Sequence, residues 1–171
     1  MVVVPYVTGA APDGHLAGPQ AETLAALAAD GIQPQLVAID ASDATGYHRA
    51  VAALWAAGET FVIVEQDIVP FPGAIAELAT CERDWCAFPY ELQVGIQPAL
   101  GCTKFSARLM ARFPDALSRA GEPDQEGLPA KDWRRLDVRL DRVLRGYGAA
   151  LHVHAGVVGH LNPSQRLVSL H

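Results

Sequence analysis

A chain of 171 residues, half of them apolar and 19% charged, is long enough to bury a sizeable core and too apolar to stay disordered. Its net charge of -6 provides no general basic footprint for nucleic acid, and no apolar run approaches the length that spans a bilayer. Met1-Val2-Val3-Val4-Pro5 lacks the basic region and cleavage site of a signal peptide, so the expected location is the cytoplasm.

Val2 to Val7 is a nearly continuous apolar run, the pattern of a strand buried on both faces. Gly9 to Gly18 predicts a polar, glycine-rich loop. A helix follows, with Pro19 near its first turn and Gly31 past its end. Gln35 to Ile39 predicts a second strand, ending at Asp40. Ser42 or Asp43 can cap the next helix, which runs to about Ala57 and stops at Gly58. Phe61-Val62-Ile63-Val64 predicts a third strand, and its apolar run ends in Glu65-Gln66-Asp67. Beyond Pro70 and Pro72, a helix is expected from about Gly73 to Thr80.

Trp85 to Tyr90 and Leu100 to Phe105 read as strands, the second leading into a short helix closed by Pro114. Residues 115–130 show no periodicity and predict a mobile loop. Trp133, Leu136, Leu140 and Val143 or Leu144 then recur at helical spacing, stopped by Gly146. A last strand is expected from Leu151 to about Val158. The alternation predicts one α/β domain over residues 1–171, built on an open, mostly parallel sheet flanked by helices.

In such sheets ligands bind outside the carboxyl ends of the strands. That rule selects Pro5, Tyr6 and Thr8, then Asp40, then Glu65-Gln66-Asp67. Glu65 and Asp67 share a strand parity, so both side chains would leave one face. Two carboxylates so close repel, and a hard divalent cation such as Mg²⁺ or Mn²⁺ resolves the conflict. The bland alternative is an exposed acidic turn. His152, His154 and His160 also share a parity in an extended strand, and imidazole is a common metal ligand. His160 is the preferred ligand beside Asp67, with Glu65 and His154 behind it; ordinary half-exposed strand histidines are the alternative.

Asp132 stands at the start of the Trp133 helix, as a general base or simply an N-cap. Arg139 and Arg142 lie one turn apart and are expected in solvent. Cys81, Cys86 and Cys102 form no disulfide framework, and the spacing of the first two is too wide for a zinc knuckle; all three read as small core residues. No glycine-rich dinucleotide fingerprint, P-loop or nucleophile elbow is present.

Val62-Ile63-Val64-Glu65-Gln66-Asp67-Ile68 resembles the strand and DxD motif of GT-A fold, family 2-like glycosyltransferases, with Glu65 replacing the first Asp. The resemblance implies that Asp67 binds Mn²⁺ or Mg²⁺ and that Glu65 faces the ribose or the metal shell. Pro5-Tyr6-Val7-Thr8 and Asp40 are similar to segments that hold the nucleotide base, and Leu100 to Ser106 to one bordering the acceptor. Lys131-Asp132-Trp133 is similar to the Glu-Asp motif of inverting members, with only the second acid matched. His160 corresponds to a C-terminal metal-ligating histidine. The implied activity is transfer of a sugar from a nucleotide-diphosphate sugar to a hydroxyl. The small size implies a macromolecular acceptor, or a second subunit of a homo-oligomer completing the cleft. A metal-dependent phosphoesterase or nucleotide hydrolase and a non-catalytic nucleotide-binding module are the competing readings.

Overall fold

The structure is a computed structural model that describes residues 1–9, 17–92, 95–122 and 136–161. Its first half runs β1 (Val2–Thr8), α1 (Ala21–Ala29), β2 (Gln35–Asp40), α2 (Gly46–Ala57), β3 (Phe61–Val64), β4 (Ile68–Val69) and α3 (Ala74–Thr80). The second half runs β5 (Trp85–Leu92), β6 (Gly95–Phe105), α4 (Ala107–Arg112), α5 (Ala116–Ala120), α6 (Leu136–Gly146), β7 (His152–Val153) and β8 (Gly159–His160).

Six strands form one sheet in the order β2-β1-β3-β6-β5-β7, and β4 pairs with β8 in a small second sheet. All four residues of β3 are buried, because helices cover both faces. Phe61 and Ile63 point into a core shared with Val51 and Trp55 of α2, Leu109 of α4, Leu117 of α5 and Leu140 of α6. Val62 and Val64 point the other way, against Leu27 of α1 and Ile75 and Leu78 of α3. A period-2 strand thus feeds two cores with alternate side chains.

The sheet is mixed rather than mostly parallel. β1 is parallel to β2 and β3, and β5 to β7, but β6 runs antiparallel to both β3 and β5. The cause is a β5–β6 hairpin, in which Leu92 pairs with Gly95 at φ +111°. The expected strand from Leu151 to Val158 is also interrupted. Gly156 adopts φ +95°, and a Cβ there would lie 3.1 Å from the Phe71 ring. The chain therefore bends between β7 and β8.

Within the stretch read as a loop, Asp115 to Glu122 contains α5, whose Ala116, Leu117 and Ala120 are buried. Five residues are too few for a period to register in the sequence. His48 secures this helix through its Nε2, 2.8 Å from the Leu117 carbonyl. Residues 123–130 lie outside the described residues. Among the described residues no helix is long and apolar enough to cross a membrane.

Candidate active site

The connections around β1 decide where a ligand can sit. The first, through α1, lies on one face of the sheet, and the second, through α2, lies on the other. The carboxyl ends of β1 and β3 consequently face a crevice between these two connections, which is a topological switch point. A cavity of about 200 Å³ opens there, lined by Pro5, Tyr6, Asp40, Tyr47, Glu65, Gln66, Asp67, Tyr90 and His160, with apolar walls that include Ile39 and Leu92.

Glu65 and Asp67 lie in a turn rather than an extended strand: β3 ends at Val64, and the Ile68 N–H donates to the Glu65 carbonyl at 3.0 Å. The turn reverses into β4, where Ile68 pairs with His160 of β8. That register sets the His160 Nε2 3.4 Å from Asp67 Oδ2. The His160 Nδ1–H donates to the Glu91 carbonyl at 2.7 Å, so Nε2 is the nitrogen presented to the acid. The hydrogen bond to Asp67 raises the His160 pKa above the ordinary imidazole value, against the effect of burial.

Glu65 is half-buried and accepts a 2.7 Å bond from the Tyr47 hydroxyl. Burial pushes its carboxyl up to about 7; the Asp67 charge adds to the rise and the Tyr47 hydroxyl opposes it. Burial first, and then the Glu65 charge, raises both Tyr47 and Tyr90 well above the usual phenol range. Both remain protonated at neutral pH. Asp40 is held below its ordinary value by the Ser42 hydroxyl and N–H. The cavity therefore combines an ionised rim, a proton-sharing acid and neutral phenols.

Gln66 lines the cavity and also braces it. Its Oε1 accepts from the Val7 N–H at 2.7 Å, while its carbonyl accepts from the Thr23 hydroxyl at 2.9 Å. Thr8 stands apart: it is exposed, and its hydroxyl donates to the Ile39 carbonyl. His154 does not join the acids, being buried against the Phe88 ring with its Nδ1 2.6 Å from Glu77 Oε1. Nor does Arg139 lie in solvent; it is buried and donates to the Glu122 carbonyl at 2.9 Å. Asp132 falls outside the described residues.

Sequence reading missed Tyr47, Tyr90 and Asp137. The tyrosines resemble ordinary core residues at helix and strand positions, and nothing local marks them. Asp137, in the first turn of α6, lines a second cavity of about 470 Å³ with Leu100, Thr103 and Trp85. Leu92 borders both cavities. Burial raises the Asp137 carboxyl, opposed by the N–H of Val138 and its own N–H. Its charge also reaches Glu65, Tyr47 and Tyr90.

Asp67 and the His160 Nε2 meet in the crevice, but among the described residues Glu65, Asp67 and His160 do not form a group whose ligand atoms all lie within 4.8 Å of one another. The fold and this site are those of a mixed α/β protein with an acidic crevice at its switch point, and comparison with known proteins places that architecture. No protein-family model matches the chain, and no curated protein sequence matches it. Among solved structures, A197 from STIV superposes with a TM-score of 0.54 at 12% identity, over 98% of this chain and 93% of that one. A glycosyltransferase involved in the glycosylation of the major capsid of PBCV-1 superposes with a TM-score of 0.51 at 11% identity, over 90% of this chain and 81% of that one. At these identities the likeness is one of fold, and the fold is glycosyltransferase-like.

Proposed function

We propose that the protein is a metal-dependent glycosyltransferase of the GT-A type that uses a nucleotide-diphosphate sugar. The observation that supports this most directly is the convergence of Asp40, Glu65, Asp67 and His160 on one crevice at the switch point, in a fold shared with a glycosyltransferase. Pro5 and Tyr6 would form the wall for the nucleotide base, with the Tyr6 ring offering a stacking face. Asp40 would accept from base or ribose donors. Asp67 and His160 would hold Mn²⁺ or Mg²⁺, with Glu65 completing the shell or facing the ribose. Such a cation neutralises charge on a leaving diphosphate.

Removal of the acceptor proton needs a further acid near the transferred sugar. Asp132 carries that role by family resemblance. Asp137 carries it by position, as the half-buried carboxylate of the cavity adjoining the crevice at Leu92. A large acceptor, or a second copy of the chain, would complete the outer side. Asp132→Asn and Asp137→Asn should separate the two: the base variant loses kcat by ~10²-fold or more with donor binding retained.

The primary test incubates the protein with a panel of nucleotide-diphosphate sugars and Mn²⁺. Metal-dependent release of nucleoside diphosphate and sugar is expected, reduced by ~10²-fold or more in Asp67→Asn. Release of nucleoside monophosphate would point to a phosphoesterase instead. Donor-induced stabilisation without turnover would indicate a binding module, and no thermal shift with any donor and Mn²⁺ would overturn all three readings.

A further inference from the structure

On the face of the sheet covered by α1 and α3, away from the acidic crevice, two cysteines five residues apart meet a histidine from a distant part of the chain. Cys81 caps the carboxyl end of α3, Cys86 is the second residue of β5, and His154 follows β7. One ligand atom from each lies within 4.8 Å of the others. None of the three lines the crevice. We propose that Cys81, Cys86 and His154 form a second, separate site for a thiolate-preferring divalent metal of the Zn²⁺ class, which staples α3 to β5 and β7.

The orientation of His154 is the independent observation. Its Nδ1–H donates to Glu77 Oε1 at 2.6 Å, which leaves the lone pair on Nε2. That Nε2 is buried and, among the described residues, is a side-chain polar atom without any hydrogen-bond partner. The side chain as a whole is 8% exposed. A buried, unpartnered nitrogen costs free energy that a ligand would recover. The carboxylate–histidine arrangement is also the usual way a protein fixes a ligating imidazole and raises its basicity.

Charge and distance agree with this. Bonds of about 2.3 Å to sulfur and 2.0–2.1 Å to nitrogen hold tetrahedral ligand atoms about 3.8 Å apart, so a contraction of roughly an ångström closes the set. On binding, the two thiols release two protons to solvent and become thiolates. The buried Lys104 donates to the Cys81 carbonyl; burial pushes the Cys86 thiol up to about 12, and the Lys104 charge opposes that rise. Two thiolates and the Glu77 carboxylate then balance Lys104 and one divalent ion. Cys81 is half-buried, so water can reach the fourth coordination position. The site also meets a structural need, since β7 joins β5 through only Cys86↔His152 and Ala87↔Val153.

The test titrates the metal-free, reduced full chain with Co²⁺ as an absorbing substitute for Zn²⁺. Thiolate-to-cobalt charge-transfer absorption that saturates at one Co²⁺ for each chain is expected, displaced by Zn²⁺, and its titration midpoint reports the affinity of this site. Cys86→Ser should abolish that absorption, Glu77→Ala should weaken metal affinity about 10–100-fold, and Asp67→Asn should leave both unchanged. A folded wild-type chain with no thiolate charge transfer overturns the proposal, as does its retention in Cys86→Ser. Should Cys86→Ser not fold, alkylation of the wild-type chain decides: protection of Cys81 and Cys86 by Zn²⁺ supports the site, and equal labelling with and without Zn²⁺ overturns it.

Discussion

Glu65 carries the clearest single-residue consequence. Its folded pKa of about 7 lies above the value of 4.5 it has when free of the fold, so the folded state binds the extra proton between those two values. The stabilisation is complete below pH ~4.5 and is lost as pH rises through ~7. Thermal melting of metal-free protein should accordingly fall across that window, by at most about 3 kcal/mol from this group. Glu65→Gln should flatten the Glu65 contribution, and Mn²⁺ should restore stability on the alkaline side; a wild-type profile rising from pH 5 to 7.5 would contradict this. Gly101 gives a second test. A Cβ there would lie 2.8 Å from the Tyr90 ring, so Gly101→Ala should push that ring into the crevice and weaken donor binding at least tenfold, measured by calorimetry. At this scale the acids were legible because an apolar strand ran straight into them. Tyr47 and Tyr90 were not, since only the fold turns them toward those acids.

Among the elements, the turn between β3 and β4 depends on Gln66, which links the end of β1 to α1. Gln66→Ala would strand the Val7 N–H and should cost about 1–3 kcal/mol in urea unfolding. A loss of donor affinity should accompany it, because Tyr6 and Val7 line the same crevice. The strands and helices of the first half were readable from apolar runs bounded by Gly31 and Gly58, both at φ +71°. Whereas β7 falls inside the longer strand expected from Leu151 to about Val158, β4 and β8 were not readable, because two residues carry no period. Their positions follow from pairing partners far away in sequence, as Ile68↔His160 shows.

At the level of the whole molecule, Phe105 joins the layers. Its ring meets Trp55 of α2 at 5.4 Å, Phe61 of β3 at 5.4 Å and Trp85 of β5 at 6.4 Å between centroids. Phe105→Ala should cost about 3–5 kcal/mol, read as a lowered urea midpoint with an unchanged slope. A cost below 1 kcal/mol would mean that the core collapses around the gap. The mixed sheet belongs to this scale too, since the hairpin after Leu92 reverses β6 and breaks the mostly parallel order that alternating elements suggest.

By itself the sequence determined the α/β class, the main strands and the acidic ending of β3, because local periodicity and composition suffice for these. Tertiary structure alone decided which histidine meets which acid. His160 reaches Asp67 through an antiparallel pair, whereas His154, two residues after His152, turns into a separate cluster with Glu77, Cys81 and Cys86. Side-chain direction after a bend at Gly156 depends on long-range packing against Phe71 and Phe88, and no spacing rule carries that information.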